Sequence, residues 1–233
     1  MYDNKVESSE NNINSTGKWV FDAEIANRFT DEAEKHIPDY WKVIELTINI
    51  LKDNVPKDGY IIDVGCASGN TLLYLYKQGF NKLFGIDDSQ EMLKVAGKNL
   101  SKVDKDFPSR LFRSKTFVQN MTFDAIICNW TLHFIQERQE YLKAIFDSLI
   151  SKGLFILTEK TLQSQITENQ YILFKQNKRL SNEEIERKKQ QLEGVLNPLS
   201  VRQNIELLNK TGFYQTDIIN ARLGFVTFLC IKP

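Results

Sequence analysis

The chain lacks an excess of charge of either sign, a long hydrophobic run, and cysteines spaced to bind metal. It has 30 Lys and Arg against 30 Asp and Glu, so no strong overall field draws it to nucleic acid. No segment has the length of a membrane span, and the N-terminus lacks the apolar core of a signal peptide. Cys66, Cys128 and Cys230 lie in or beside apolar segments, as small buried residues do in a reducing compartment. These absences predict a soluble cytoplasmic protein that binds neither membrane nor, directly, nucleic acid.

A glycine-rich turn follows a short apolar segment. Residues 60–64 are largely apolar and β-branched, which predicts a buried strand. Gly65 and Gly69 follow it, where the backbone turns sharply and lets a ligand approach closely. Residues 71–77 are apolar enough to form the helix that packs on this strand. Because ligands in open α/β sheets bind beyond the carboxyl ends of the strands, these three elements predict a nucleotide-type site.

The next strand, over residues 83–88, ends in carboxylates. Asp87 lies about 20 residues past the first glycine, the spacing at which an acid meets ribose hydroxyls. The loop 63–69 reads D-x-G-x-A-x-G, which differs from the dinucleotide fingerprint G-x-G-x-x-G. It resembles the acidic-x-G-x-G-x-G loop of class I S-adenosylmethionine (SAM) dependent methyltransferases, with Ala67 at the middle glycine. The alternative, a structural turn in another α/β protein, is disfavoured by the loop, helix and acid occurring together.

The order of the remaining elements predicts the fold. Residues 1–17 are polar and predict a disordered tail, while 18–52 predict a helical cap or flank whose aromatic residues are either core or a lid. A helical insertion is predicted at about 162–200. Further strands are predicted at 111–117, 123–130, 153–160, 216–220 and 225–231. We therefore expect one α/β domain over 18–233, with a Rossmann-like, seven-stranded, mostly parallel sheet that ends in an antiparallel hairpin.

Polar residues near the carboxyl ends of the fourth and fifth strands are candidate catalytic groups. Asn129 ends the fourth strand, His133 follows it, and Glu159 lies at the end of the fifth. A hydroxyl acceptor would need a base, for which His133 and Glu159 are the candidates. A buried core histidine is the more typical interpretation of His133, and Glu159 is more typical of a residue that orients the site.

A closer resemblance covers roughly residues 18–233. It rests on seven short runs: Phe21-Asp22, Ile37-Pro38-Asp39-Tyr40, Asp63-Val64-Gly65-Cys66, Ile86-Asp87-Asp88-Ser89, Asn129-Trp130-Thr131-Leu132-His133-Phe134, Thr158-Glu159-Lys160 and Lys188-Lys189-Gln190-Gln191-Leu192-Glu193. These runs resemble the carboxy-SAM synthases, which keep the methyltransferase fold and move a carboxyl group from prephenate onto the SAM methyl carbon. The product serves wobble-uridine modification of tRNA, and the family is dimeric.

The resemblance implies a set of site residues. Its contacts to the nucleoside or methionine part would be Tyr40, Gly65, Cys66, Ala67, Asp87, Asp88 and Asn129. The loop and the helix that follows Asp88 add Asp63, Gly69 and Met92 as cofactor candidates. Lys189 and Tyr171 are candidates for a substrate carboxylate.

Two positions depart from the family pattern. The family's arginine that pairs with the transferred carboxylate falls at Lys189, and Lys cannot make the bidentate fork of Arg. The family's Asp-Ile pair at the adenine falls near Ser114-Lys115.

Three functions remain open from the sequence. The first is a SAM-dependent methyltransferase acting on a small molecule, in which alignment of acceptor and methyl carbon supplies much of the rate gain. The second is a carboxy-SAM synthase, or an enzyme that cyclises SAM on itself. The third is a non-catalytic partner subunit with this fold. The implied ligand is SAM, S-adenosylhomocysteine or carboxy-SAM, and the implied assembly is a homodimer.

Overall fold

The computed structural model of the chain describes residues 23–117 and 120–233. The predicted tail and the apolar residues Trp19, Val20 and Phe21 lie outside the described residues. Eight α-helices are described in these two ranges: α1 (Ala23–His36), α2 (Tyr40–Asn54), α3 (Asn70–Lys77), α4 (Gln90–Leu100), α5 (Arg138–Asp147), α6 (Gln165–Asn177), α7 (Asn182–Leu192) and α8 (Val201–Thr211).

Seven strands form one sheet. They are β1 (Tyr60–Val64), β2 (Lys82–Asp87), β3 (Leu111–Arg113), β4 (Phe123–Asn129), β5 (Leu149–Lys160), β6 (Gln215–Arg222) and β7 (Phe225–Ile231). Their order across the sheet is β3-β2-β1-β4-β5-β7-β6, and the first five run parallel. The last strand, β7, runs antiparallel to both β5 and β6. The predicted fold class is confirmed.

The strand order reverses between β1 and β4, which is where open α/β sheets bind their ligands. Asp63 is in register with Gly85 of β2 and with Ile127 of β4. Asn129 at the end of β4 is in register with Thr158 of β5. This register brings the carboxyl ends of four strands to one edge of the sheet.

Alternating side chains of the strands enter two apolar layers. Ile61, with the inward faces of α2, α3 and α4, belongs to one buried cluster. The next residue, Ile62, belongs to the other, together with apolar residues of α5 and α8. A strand covered on both faces needs continuous apolar sequence, which explains why β1 and β4 are recognisable from sequence alone.

Serine caps fix where several helices begin. Ser89 Oγ accepts the amide N–H of Met92 at 3.2 Å at the start of α4. Capping boxes at Ser181 and Ser200 start α7 and α8, since each serine and the residue three positions later bond each other's backbone. Along the chain, α6 and α7 lie between β5 and α8, within the range predicted as an insertion.

The strand predicted at 111–117 is shorter in the structure. Only Leu111–Arg113 pair with β2, in register with Gly85–Asp87. Ser114 then closes a turn, because its Oγ accepts the amide N–H of Thr116 at 3.1 Å. Within the described ranges, no helix combines the length and apolar character needed to cross a membrane.

Candidate active site

A cavity of about 1870 Å³ lies at the carboxyl edge of the sheet. Its walls come from the ends of β1, β2 and β4 and from α1, α6 and α7. Pockets for one drug-sized ligand usually measure about 300–1,000 Å³. The cavity therefore has room for two ligands side by side.

The glycine loop is held tightly against its neighbours. The amide N–H groups of Gly65 and Cys66 both donate to Ile86 O, at 2.8 and 3.0 Å. Gly65 has φ +73°, and a Cβ at this position would lie 1.9 Å from Thr131 Oγ1. No side chain fits here, so the backbone itself forms this wall of the cavity.

Ala67 takes a left-handed backbone conformation, with φ +46°, at the position of the middle glycine. Its amide N–H donates to Asp87 Oδ2 at 2.9 Å. This bond ties the loop to the end of β2 and holds Ala67 in a conformation that costs an L-residue about 1–2 kcal/mol.

Two carboxylates lie at the loop, the buried Asp63 and the half-buried Asp87. Asp87 also accepts the amide N–H of Ser89, at 2.9 Å, through Oδ1. Burial raises the pKa of Asp87, although these backbone bonds oppose the shift. Burial and the charge of Asp87 raise the pKa of Asp63 to about 7, while a hydrogen bond from Thr71 opposes that rise. Within the described ranges neither carboxylate has a cation within ion-pair distance, so a cationic ligand would relieve both.

An aromatic wall stands beside the loop. The rings of Tyr40 and Trp130 stack with centroids 4.9 Å apart. Trp130 has φ +58°, which is rare for a bulky residue, and its amide N–H donates to Thr158 O at 2.7 Å. Such strain is common at ligand sites, where the surroundings hold it in place.

Asn129 presents an unused donor. Its Oδ1 accepts the Thr158 hydroxyl at 2.6 Å, but its buried Nδ2 has no hydrogen-bond partner among the described residues. A buried donor without a partner is costly, and a ligand acceptor in the cavity would satisfy it.

His133 and Glu159 form a buried pair. Glu159 Oε1 lies 3.0 Å from His133 Nδ1 and also accepts the His133 amide N–H at 3.2 Å. The backbone N–H of Lys160 points at the same Nδ1 as a donor, at the longer distance of 3.3 Å. We take the shorter contact, with Glu159 Oε1, as the bond that Nδ1 makes, which assigns the ring proton to Nδ1 and a lone pair to Nε2. Glu159 is fully buried, and within the described part of the chain its Oε2 has no partner.

Arg138 fixes the short turn that carries His133. Its Nε donates to the carbonyls of Leu132 and Ile135, both at 3.0 Å. Its Nη2 donates to the carbonyls of His133, at 3.2 Å, and of Asn197. His133 is therefore held at two points: the Glu159 carboxylate contacts its ring, and the Arg138 guanidinium bonds its backbone carbonyl.

The far side of the cavity carries lysines that sequence reasoning did not select. Lys160 of β5, Lys175 of α6 and Lys188 of α7 line it together with Lys189. Burial lowers the pKa of Lys175 to about 8 and that of Lys188 to about 7. We call Asp63, Gly65, Ala67 and Asp87 the acidic half of the cavity. The four lysines with Tyr171 are the basic half.

Helix α1 contributes a wall of the cavity through Phe29, Glu32, Ala33 and His36. Its Glu32 Oε2 lies 3.5 Å from His36 Nε2, and the hydrogen bond with His36 lowers the pKa of Glu32 to about 2. Some residues predicted as a cap thus face the ligand, whereas others on α2 are core.

The structure brings most of the predicted site residues together. Those that line the cavity are Tyr40, Asp63, Gly65, Cys66, Ala67, Asp87, Asp88, Met92, Asn129, His133, Tyr171 and Lys189. Gly69 does not line it: with φ +79° it precedes α3 and packs on Leu100. Glu159 does not line it either, because it lies behind His133.

Relatives of known name match nearly the whole chain. A family profile described as a methyltransferase domain matches residues 62–157. The carboxy-S-adenosyl-L-methionine synthase of Campylobacter jejuni subsp. doylei is 33% identical over 231 residues, covering 94% of this chain and 96% of the relative. The proteins of the same name from Nautilia profundicola and Helicobacter pylori are 34% and 33% identical, each over 92% of this chain and 95% of its own length. The chain belongs to the carboxy-SAM synthase family.

Solved structures support the fold of this carboxy-SAM synthase family member. The magnesium protoporphyrin IX methyltransferase of Synechocystis with bound S-adenosylhomocysteine has a TM-score of 0.66 and 13% identity, over 91% of this chain and 96% of that one. A SAM-dependent methyltransferase from Aquifex aeolicus has a TM-score of 0.61 and 15% identity, over 92% and 100%. Fold and family together make the chain a SAM-dependent transferase.

The acidic half suits the SAM that this family uses. SAM carries a sulfonium, an ammonium and a carboxylate. The two carboxylates without an ion-pair partner suit its cations, and the unused Asn129 donor suits an acceptor such as its carboxylate. The backbone at Gly65, where no Cβ fits, allows a ligand to approach closely. Both departures from the carboxy-SAM synthase pattern also face the cavity. Ser114 and Lys115 lie just past β3, where Lys115 Nζ is 3.9 Å from Asp88 Oδ2, and Lys189 is exposed on α7.

Proposed function

We propose that this chain is a carboxy-SAM synthase: it places a carboxyl group on the methyl carbon of SAM, with prephenate as the donor that the resemblance implies. The observation that carries the proposal is the similarity to proteins of that name over more than nine-tenths of both chains. The cavity agrees with it, because the basic half offers cations to an anionic donor beside a half suited to SAM.

The residues of the acidic half are proposed to hold the nucleoside and methionine parts. Bound SAM supplies a methyl carbon activated by its sulfonium. Asp63 and Asp87 place negative charge beside that cation, and Gly65 and Ala67 let the backbone approach it. Tyr40, Cys66, Asp88, Met92 and Asn129 complete the proposed contacts.

His133 is proposed to handle the proton that the methyl carbon gives up. Prephenate gives up its carboxyl group and, as its ring becomes aromatic, its ring hydroxyl as hydroxide, while the methyl carbon that gains the carboxylate releases one proton. A group in the cavity can carry that proton to the hydroxide, which leaves as water. His133 lines the cavity, and Glu159 holds its Nδ1 at 3.0 Å, which leaves Nε2 able to accept. Glu159 is thus a positioning residue, and His133 is the proposed catalytic one.

Mass spectrometry tests the proposal directly. The purified chain, incubated with SAM and prephenate, should yield a species with the mass of SAM plus one CO2. Formation of this species should require both substrates. Its absence, with an active relative such as the Campylobacter jejuni enzyme tested in parallel, would reject the proposal.

A methyltransferase acting on a small molecule is the second candidate. Lys189, which replaces the arginine fork expected for the transferred carboxylate, favours it. Its product would be S-adenosylhomocysteine, formed only when an acceptor is added, with no gain of CO2. Release of methylthioadenosine without an acceptor would instead indicate cyclisation of SAM on itself.

The resemblance also implies a cytoplasmic homodimer, which we retain as a prediction. Sedimentation equilibrium of the full chain, with and without SAM, would give the assembly state. A mass equal to that of one chain at micromolar concentration would contradict it.

A further inference from the structure

Two lysines of the basic half share one aromatic ring. Lys175 Nζ lies 4.0 Å from the centroid of the Tyr171 ring, and Lys160 Nζ lies 4.7 Å from the same centroid. Lys160 ends β5 next to Glu159, whereas Lys175 comes from the inserted α6. The two ammonium groups are therefore brought together by tertiary packing across 15 residues of chain.

The Tyr171 ring is fixed in place. The Tyr171 hydroxyl donates to His36 O at 2.7 Å, and Phe225 packs against the ring with centroids 5.6 Å apart. Tyr171 is 4% exposed and Lys175 is 7% exposed. The Tyr171 ring and Lys175 are therefore packed into the wall of the cavity.

Neither lysine of this pair forms an ion pair within the described part of the chain. In the ranges that the structure describes, neither ammonium has an acid within the 4 Å of an ion pair. Glu168 acts on both from a longer distance, and its Oε2 is already bonded by Gln163. Cation–π contact with one ring offsets only part of the cost of burying two like charges.

The neighbouring charges increase this cost. Lys189 lowers the pKa of both Lys160 and Lys175, and Lys160 lowers that of Lys175 further. Both groups line the cavity, so an anion bound there would reach them. A carboxylate brings a negative charge and two acceptor oxygens, so it suits a wall that presents two ammonium donors.

We infer that Lys160 and Lys175 form a second carboxylate subsite, for an acidic group that the substrate keeps and does not transfer. This inference rests on the proposed function, in which the transferred carboxyl group belongs near Lys189. Lys160 and Lys175 then set which donors are accepted. A donor whose only acidic group is the transferred one would leave the buried Lys175 and the half-buried Lys160 without an anion.

Direct binding tests the subsite without turnover. The SAM-loaded full chain is titrated with 3-phenylpropionate and, separately, with its uncharged amide, 3-phenylpropanamide. The carboxylate should bind and the amide should not. Lys175→Met should weaken carboxylate binding roughly 10-fold or more, as expected for a hydrogen bond to a charged group.

Lys178→Met is the matched control. Lys178 also lies on the α6 side of the site, 5.9 Å from the Phe174 ring that stacks on Tyr171, but it is exposed and does not line the cavity. This variant should bind 3-phenylpropionate as the wild type does. Lys160→Met provides a second test if Lys175→Met folds poorly. Neither variant should change the affinity for SAM by more than about 2-fold.

The outcomes separate this inference from the proposed function. Equal binding of carboxylate and amide, or wild-type binding by both Lys160→Met and Lys175→Met, would overturn the subsite even if carboxy-SAM is made. Charge-dependent binding that is lost in Lys175→Met would support it even if no carboxy-SAM forms. In turnover, Lys175→Met should raise KM for the donor and leave KM for SAM unchanged.

Discussion

The acidic and basic halves of the cavity are built in opposite ways. The acidic half comes from residues 63–67 and Asp87, on adjacent parallel strands joined by one helix. The basic half comes from β5, α6 and α7, between residues 160 and 189. One half is a local motif with fixed spacing, whereas the other exists only after an insertion has folded over the sheet.

This difference in construction gives the two halves different tolerance to change. Backbone groups and buried carboxylates of the acidic half are fixed by hydrogen bonds at 2.8–3.0 Å. In the basic half, the ammonium groups lie on flexible side chains and repel each other. We expect substitutions in the acidic half to disturb folding and cofactor affinity together, and those in the basic half to affect mainly the second substrate.

The largest effect is expected for Gly65→Ala. The new Cβ would overlap Thr131 Oγ1. The alanine would also have to adopt the φ of +73° that Gly65 has. We expect a loss of about 2–5 kcal/mol in the free energy of unfolding, from strain and overpacking together. SAM binding should become undetectable by calorimetry.

Gly79→Ala is the control that separates backbone strain from steric overlap of the new Cβ. Gly79 has φ +92°, but nothing lies within 4 Å of a Cβ added there. It should lose stability through backbone strain alone, by about 1–2 kcal/mol, and keep full affinity for SAM. Equal losses of affinity in both variants would show that the glycine loop has no special role.

The sequence predicted the acidic half because every signal for it is short-range. The apolar run 60–64, the glycines and Asp87 lie within 28 residues, so spacing alone locates them. The mostly parallel sheet with an antiparallel end also followed from the order of strands and helices along the chain. The sequence could not show that Asp87 accepts hydrogen bonds from the amides of Ala67 and Ser89, because these bonds depend on the conformation of the loop.

The basic half escaped prediction for the opposite reason. A run such as 183–189 is typical of a solvated helix face, and that interpretation was wrong at Lys188, which is half-buried opposite Glu32 of α1. Lys160 and Lys175 meet only through Tyr171, and no spacing rule connects a strand end with an inserted helix. The strand at β3 was predicted to run too far, to residue 117, because its end depends on a turn made by Ser114.

Asp63→Asn should remove the pH dependence that Asp63 imposes on stability. Burial raises the pKa of Asp63 from its ordinary value of 3.8 to about 7, so the folded state binds more protons than the unfolded state between these two pH values. Stability therefore falls as pH rises from about 4 to 7. The change in the free energy of unfolding from wild type to Asp63→Asn should therefore be more favourable at pH 8 than at pH 4, by about 2–4 kcal/mol.

Urea unfolding at pH 4, 6 and 8 would measure this difference. Asp88→Asn, at an exposed position of the same cavity, is the control. It should change the free energy of unfolding by the same small amount at all three pH values. A wild-type chain whose stability rises from pH 4 to 8 in step with Asp63→Asn would contradict the prediction.

Glu159→Gln should slow turnover roughly 100-fold and leave SAM affinity within about 2-fold, because the residue positions His133 and does not touch the acidic half. Rates at saturating substrates, with calorimetry for SAM, would test both parts. Glu137→Gln, at an exposed acid that lines the same cavity, should change neither. Loss of SAM binding in Glu159→Gln would place Glu159 in the cofactor site instead.

Ala67→Gly should stabilise the chain by about 0.5–1 kcal/mol. Glycine adopts φ +46° without the cost that Ala67 bears, although it loses part of this gain through its freer unfolded state. Thermal unfolding would measure the change. Ala144→Gly, inside α5, should lose about 1 kcal/mol, so a loss in both variants would show that Ala67 is not strained.

The smallest effect is expected for Lys189→Arg, and it sharpens the comparison within the basic half. Lys189 is exposed, so water screens its charge and the guanidinium fork should improve kcat/KM for the donor only about 2- to 5-fold. The same exchange at the buried Lys175 should raise KM for the donor, because a larger group must fit against Tyr171 where the wall is already closed. Steady-state kinetics with the donor varied and SAM saturating would measure both variants. A gain of 100-fold or more in Lys189→Arg would mean that the missing fork, and not the buried lysine pair, limits recognition of the donor.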